Sequence, residues 1–411
     1  GSVISTLSAI PLQGEDVIDA SGLVVAPGFI DLHTHSPSEL GQYYQLFDGV
    51  TTALELEAGT YPVGDYAGTI SDRALINYGA SAGYLSVRLL QKNGLSTGDI
   101  MGMPQPSGWR GWWTALQFVF TDVQTALSRT TSEQASDEEI AAMRELLNDG
   151  LDQGGLGIGL PLDYISEAVS KTELRMIFQV SAERQAPVFV HVRRGVNGDP
   201  AGLREALALA EEFGGPLHIC HISHNAMRNI ELFLGEVREA RSRGVDVSTE
   251  VLPYNAGSTG LSAAVFNRDW QTIFNITYED VEWAATGERF PVATWNEYRE
   301  QHSTGTVIHH YLDEAWTLRA IQEPGVIIVS DLVTMKTRDE NVAPHNGAFT
   351  RILGRYVREQ GALDLSTAIG KMTLLPARRL ENYAPAFAKK GRVQIDMDAD
   401  LTIFDPDKVI D

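Results

Sequence analysis

A single cysteine, Cys220, leaves no partner for an intramolecular disulfide, so cysteine usage does not fix the redox compartment. No apolar run approaches the roughly 18 residues of a membrane span, and no signal-peptide pattern opens the chain. Basic residues are scarce: 32 Lys and Arg stand against 54 Asp and Glu, for a formal net charge of −22. That balance argues against nucleic acid and anionic membrane surfaces as partners and leaves a small molecule as the expected one, with a homo-oligomer open. The leading Gly1-Ser2 resembles a tag-cleavage scar. The expected location is cytoplasmic, with periplasmic or secreted placement left open.

The scarcity of positive charge matters most at residues 53–59, ALELEAG. Glu55 and Glu57 sit in an otherwise apolar run that follows the β-favouring Val50-Thr51-Thr52, and no Lys or Arg lies within fifteen positions. An ionised carboxylate in a dry core costs several kcal/mol unless a cation holds it. The sequence therefore asks which cation does so.

The rest of the chain has the composition of a globular protein, 43% hydrophobic and 21% charged over 411 residues. Apolar β-rich runs alternate with helical patterns. Strands are expected at Val24 to His33, Val50 to Glu57, Leu75 to Gly79, Leu156 to Leu160, Pro187 to Val192, Leu217 to Ser223, Val245 to Leu252 and Val326 to Ser330. Helices are expected at Asp137 to Asp152, Thr172 to Gln185, Gly202 to Phe213, Asn225 to Arg243 and His309 to Glu323. Eight buried strands with helical crossovers predict a (β/α)8 TIM barrel. A doubly wound sheet would place a glycine-rich turn after its first strand, and none follows Val24 to His33. Val17 to Val25 and Val393 to Phe404 look like strands without partner helices, which predicts a small β-sandwich domain built from both chain ends. The expected division is residues 1–26 and 386–411 in that domain and 27–385 in the barrel. The Gly/Pro/Trp-rich stretch Gly102 to Trp113 is expected to be a long loop near the barrel mouth.

Metal-ligand types recur at the ends of these strands. GFIDLHTHS supplies His33 and His35, two apart on a strand and so on one face, within reach of one metal ion. His191 ends the strand in PVFVHVRR and His221 the strand in LHICHISH. If the latter is extended, His221 shares a face with Ile219, His218 and His224 are structural or supporting, and Cys220 points out of the barrel as an inert thiol. Asp331, after the apolar run of GVIIVSDL, suits a general base near a metal-bound water; the competing reading is an N-cap.

These segments resemble the amidohydrolase superfamily, and within it the D-aminoacylase (N-acyl-D-amino-acid deacylase) branch. The resemblance is carried in order by VVAPGFIDLHTHS, FDGVTTALELEAG, INYGASAGYLSVR, HVRR, LHICHIS, VIIVSD, HNGAFTRILGRYVREQGAL with KMTLLPARRL, and GRVQIDMDADLTIFDP. It implies a zinc amidohydrolase with one or two Zn2+ per chain, cleaving a C–N amide bond of an N-acyl amino acid, a dipeptide-like compound or a related amide by a metal-bound hydroxide. On that resemblance His33 and His35 bind the more buried metal, His191 and His221 the more exposed one, and Asp331 binds metal and acts as general acid/base.

Departures from the branch are specific. Many superfamily members bridge two metals with a carboxylated lysine on the fourth strand, and the D-aminoacylase branch does so instead with a cysteine after GVTT; here the fourth strand reads GGLGIGLPLDY and the second ALELEAG, with neither. The expected substitute is a strand-2 carboxylate, Glu57 by its place nearer the strand end, with Glu55 as the alternative; a salt bridge to a distant arginine is the competing reading. Tyr164 in LPLDY occupies the place of a tyrosine near the branch's site, and His345 in VAPHNGAF takes a nearby position; both are expected to contact substrate. The basic residues that hold the substrate carboxylate in the branch are not reproduced, and Arg193, Arg194 and Arg338 are the ones near enough in sequence to substitute. Three other readings stay open: a mononuclear-metal deaminase, although His191-Val-Arg-Arg lacks the glutamate of HxxE; a cyclic-amide hydrolase; and a non-catalytic scaffold.

Overall fold

In the computed structural model, which describes residues 2–95, 123–301, 305–333 and 346–411, the chain enters the fold through β1 (Val24–Pro27). Seven barrel strands follow: β2 (Phe29–Asp31), β3 (Val50–Thr60), β4 (Asn77–Gly83), β5 (Ile158–Leu160), β6 (Val188–Val190), β7 (Leu217–Ile219) and β8 (Val247–Val251). An insertion carries β9 (Gly257–Gly260), β10 (Val281–Trp283), β11 (Glu288–Arg289) and β12 (Thr306–His309) before β13 (Val326–Ile328) returns to the barrel; β14 (Leu401–Phe404) lies near the C-terminus. β2 to β8 and β13 pair in parallel as one eight-stranded sheet. Strands buried on both faces must be apolar nearly throughout, and VFV, LHI and VII are wholly buried. Each of the eight expected runs overlaps one barrel strand, although β3 and β4 run on past the expected ends at Glu57 and Gly79.

The sheet is drawn together between its first and last strands just beyond their ends. Asp331 N–H donates to the carbonyl of His33 at 2.8 Å, and His35 N–H to that of Leu332 at 2.7 Å. The buried Asp31 carboxylate, pushed up to about 6 by desolvation, accepts from Ser330 Oγ at 2.5 Å, Ser330 N at 3.1 Å and His33 N at 3.2 Å. The seam thus sets His33, His35 and Asp331 side by side.

Helices cover the outside. Asp137–Asp152 begins where SDEE offers a capping box: Ser136 Oγ accepts from Glu139 N, and Glu139 Oε2 accepts from Ser136 N. Two expectations need correction. The stretch Leu217 to Ser223 is extended only as far as Ile219, and a short helix, Ile222–Ala226, follows. His309 to Glu323 is not one helix: the β-branched run Thr306–His309 pairs with β9 and β10, and the helix is Glu314–Gln322, capped by Asp313. The chain ends meet as β1 and β14, antiparallel, with Val24 opposite Phe404. The pairing covers less than the expected strands, because Val17 and Ile18 lie exposed and bury no face. The insertion forms a four-stranded antiparallel sheet, in order β11-β10-β12-β9, with its own aromatic cluster around Phe266, Trp270 and Trp295. Residues 102–113 lie outside the described residues.

One buried ion pair ties three helical segments of the wall together. Arg88 reaches Glu173 through Nη1 and the carbonyl of Thr130 through Nε at 2.8 Å, while the Tyr84 hydroxyl donates to Glu173 at 2.6 Å. Both charged side chains are fully buried. Removing one partner strands a buried charge, so Glu173→Ala is expected to cost about 3–5 kcal/mol, whereas a double Arg88→Met/Glu173→Leu replacement costs much less. Denaturant titration of the two variants checks this.

Candidate metal centre

Glu57 is the hub. It projects from β3, and its two carboxylate oxygens face different histidine pairs. Oε2 lies 3.3 Å from His33 Nε2 and 3.2 Å from His35 Nε2. Oε1 lies 3.0 Å from His191 Nδ1 and 2.9 Å from His221 Nε2. The carboxylate is 5% exposed, so nearly every contact it makes is with protein. Glu55 shares its face but stands behind His35, with both oxygens 3.0 Å from Nδ1 of that ring. Of the two alternatives left by the sequence, the structure sets Glu57 between the pairs and Glu55 at the back of one ligand candidate.

The approach of β5 makes this arrangement possible. A Cβ at Gly159 would meet the carbonyl of Glu57 at 2.6 Å and Ser81 Oγ at 2.5 Å, so no side chain fits there. The fourth barrel strand therefore leaves the centre to β3.

Donor geometry tests whether the residues fit zinc. His33 Nε2, His35 Nε2 and Glu57 Oε2 form one group, and Asp331 groups with His33 and His221. His33 Nε2 and His35 Nε2 are 3.1 Å apart, and Asp331 Oδ1 is 3.4 Å from each. Atoms bound to one tetrahedral zinc at about 2.0–2.1 Å stand about 3.3 Å apart. The group has that size. Glu57 Oε1, His191 Nδ1 and His221 Nε2 form a second group of three, the number of protein ligands a catalytic zinc keeps when one position is left for water or substrate.

The electrostatics call for positive charge. Burial alone would push His33 and His35 down. The carboxylates of Asp331, Glu57 and Glu250 around His33, and of Glu55, Asp331 and Glu57 around His35, outweigh it and hold both well above the ordinary imidazole range. Burial and the neighbouring His221 push His191 down to about 4, which keeps its lone pair available. Burial opposes ionisation of Glu57, but His33 and hydrogen bonds from His191 and His221 hold it well below the carboxylate range.

Two ligand candidates reach the centre through left-handed backbone: His221 at φ 31° and Asp331 at φ 53°. For His221 this explains a second correction. Because β7 ends at Ile219, strand alternation does not extend to residues 220 and 221. The Cys220 thiol lies against His33 and Glu250 rather than pointing out of the barrel, and burial with the Glu250 charge pushes its pKa well up. His218 lies inside the barrel, bonded through Nδ1 to Ser248 Oγ at 2.7 Å and through Nε2 to Glu250 at 2.8 Å. His224 meets the carbonyl of Ala256 at 3.1 Å.

Glu250 is a residue the sequence reasoning missed. It is the penultimate residue of β8 and takes His33 Nδ1 at 2.5 Å, His218 Nε2 and the His221 backbone N–H at 3.2 Å. Burial would raise its pKa, yet His33 and His218 hold it down to about 2. Such carboxylates orient a ligating imidazole and raise its basicity. VSTEV carried the same signal as ALELEAG, an acid in a buried strand. Tyr164, kept protonated by a pKa raised to about 12 through burial and the Glu57 charge, packs edge-on against His191 at 5.4 Å and meets Thr259 Oγ1 at 3.3 Å. His345 and Arg338 lie outside the described residues.

The family model described as "Amidohydrolase family" matches residues 24–411. D-aminoacylase of Alcaligenes xylosoxydans xylosoxydans is 30% identical, covering 96% of this chain and 80% of that protein. N-acyl-D-glutamate deacylase of the same organism is 27% identical, covering 100% and 82%. A D-aminoacylase crystal structure superposes with TM-score 0.75 at 22% identity, over 99% of this chain and 85% of the other. That of N-acyl-D-glutamate deacylase from Bordetella bronchiseptica, complexed with zinc and a phosphonate inhibitor, superposes with TM-score 0.72 at 24% identity, over 95% and 81%.

On this geometry, Glu57→Gln is expected to lose at least one of the metals bound by the reconstituted protein, since two cations would face each other without the carboxylate between them. Glu55→Gln, which removes only the support behind His35, is expected to keep the stoichiometry and weaken affinity by about 10- to 100-fold. Elemental analysis after a chelator challenge distinguishes the two variants.

Proposed function

We propose, on the premise that this chain belongs to the amidohydrolase family, that it hydrolyses the amide bond of N-acyl-D-amino acids. It is a hydrolase of C–N amide bonds; its similarity to D-aminoacylase and N-acyl-D-glutamate deacylase supports an acyl-amino-acid substrate of D hand. The observation that carries the reading is the pair of donor groups joined through the two oxygens of Glu57. His33, His35, Glu57 and Asp331 would hold one zinc, and Glu57, His191 and His221 a second. Zinc in such a site lowers the pKa of water to about 7 and polarises a carbonyl.

The chain's own residues supply the rest. Asp331 Oδ1 stands 3.4 Å from both first-strand imidazoles, at the rim of the centre and 17% exposed, where it can take a proton from an attacking water and return it to the leaving nitrogen. Its backbone N–H is pinned to the His33 carbonyl, so the carboxylate is held at the seam rather than on a free loop. Glu250 fixes the ring of His33 and Glu55 that of His35, and Asn225 Nδ2 lies 3.3 Å from His221 Nδ1, so both pairs include imidazoles oriented from behind. Tyr164 presents a phenol beside His191 with its proton in place.

Zinc-reconstituted protein should be screened against N-acyl-D- and N-acyl-L-amino acids, dipeptides and cyclic amides. Turnover of N-acyl-D-amino acids is expected, and turnover confined to cyclic amides would replace the proposal. Asp331→Asn removes the proton acceptor at nearly constant size, so kcat on the best substrate is expected to fall by about 10²-fold or more. A near-wild-type rate for that variant would remove Asp331 from the proton path.

A further inference from the structure

Beside the centre, on its β6 side, stands a buried guanidinium whose donors are largely unfilled. Arg194 follows the HVR that comes directly after β6, and its side chain is 6% exposed. Nη1 is 3.5 Å from Asp163 Oδ2, Nη2 is 3.5 Å from Asn225 Oδ1, and Nε has no hydrogen-bond partner. A guanidinium carries five N–H donors, and a buried cation normally satisfies them. Among the described residues, two contacts at the outer limit of hydrogen bonding are all that these atoms make.

Asp163 does not account for the charge. Its carboxylate is already engaged in a two-pronged pair with Arg268, Oδ1 to Nη1 at 3.0 Å and Oδ2 to Nη2 at 2.8 Å, and Oδ1 also accepts the backbone N–H of Arg194 at 2.8 Å. Two arginines thus share one carboxylate, which leaves one positive charge of the three groups unbalanced. The guanidinium is also held in place. It lies over the ring of Phe274 at 5.0 Å and near that of Tyr311 at 5.9 Å, both from the insertion. Its neighbour Arg193 turns away instead, bonding Glu205 and the carbonyl of Val169.

The position relates directly to the chemistry. Asp163 Oδ2 stands between Arg194 Nη1 at 3.5 Å and His191 Nε2 at 3.7 Å, so the guanidinium is one carboxylate removed from a ligand candidate of the centre. Tyr164, packed on the same His191 ring, adds a second polar group on that side.

We propose that Arg194 is the specificity-determining residue that receives the substrate's carboxylate, so that the enzyme selects anionic N-acyl amino acids over neutral amides. The assignment rests on the function proposed above and names the group that reads its substrate. A carboxylate fills the guanidinium fork with two parallel hydrogen bonds and cancels the surplus charge; a carboxamide at the same place does neither. The flanking Phe274 and Tyr311 rings fix the fork before substrate arrives, which limits the entropy lost on binding.

The test uses zinc-loaded protein carrying Asp331→Asn, so that binding is read without turnover. Affinities for N-acetyl amino acids with apolar, acidic and basic side chains, and for their carboxamides, are measured by calorimetry with Arg194 intact, with Arg194→Met and with Arg194→Lys. The carboxylates are expected to bind more tightly than the carboxamides with Arg194 intact, and Arg194→Met is expected to reduce that preference by about 10- to 100-fold. Arg194→Lys, which keeps the charge but not the fork, should lose part of it, and it carries the test if the methionine variant does not fold or hold zinc. An unchanged preference, an equal loss for both ligand types, or no binding of any carboxylate overturns the assignment. If Arg194-dependent carboxylate binding is found but the wild-type enzyme hydrolyses only cyclic amides, the proposed reaction fails and the binding role stands. If N-acyl amino acids are hydrolysed with no dependence on Arg194, the reverse holds.

Discussion

The structure is organised around one electrostatic constraint, the Glu57 carboxylate held almost without solvent among four imidazoles. An anion in that setting is tolerable only with positive charge on both sides of it. The imidazoles nearest to it answer in opposite ways. His33 and His35 sit among several carboxylates and are raised; His191, beside His221 and fewer acids, is lowered. A dication held beside Glu57 would answer both, because it would supply the charge and need the imidazoles neutral.

The barrel serves this constraint through details that are not themselves ligands. The bare glycine at 159 lets β5 pass against the Glu57 backbone, where a side chain would force the strands apart. The seam between β2 and the end of β13, stitched by Asp31 and Ser330, brings Asp331 to the first-strand histidines. Glu250 reaches His33 from beneath and takes the backbone N–H of His221 as well, so one carboxylate aligns a member of each pair. The insertion closes the other side, placing Thr259 against Tyr164 and Arg268 against Asp163.

The sequence made some of this legible and hid the rest for physical reasons. The barrel strands could be found because a parallel strand covered on both faces must be an unbroken apolar run, as VFV and VII are. Asp137–Asp152 was readable to the residue because its capping box is local. The two strand-2 acids stood out because nothing basic lay near them in sequence. The insertion was missed because its strands are short and carry weak patterns: GSTG has no apolar face, and β11 is only two residues. The turn after β7 was missed because a left-handed histidine leaves no mark on hydrophobic alternation, and Cys220 was assigned the wrong side with it. Glu250 carried a signal that was present but not weighed. Arg268 meets Asp163 across 105 residues, a pairing that no local pattern encodes.

The most direct measurement is anomalous diffraction at the zinc edge from crystals of the zinc-loaded protein. The account predicts metal peaks on the two sides of the Glu57 carboxylate, one among His33, His35 and Asp331 and one beside His191 and His221, with a carboxylate oxygen toward each. Zinc bound away from Glu57, or a Glu57 side chain turned to an arginine with no metal beside it, would contradict it.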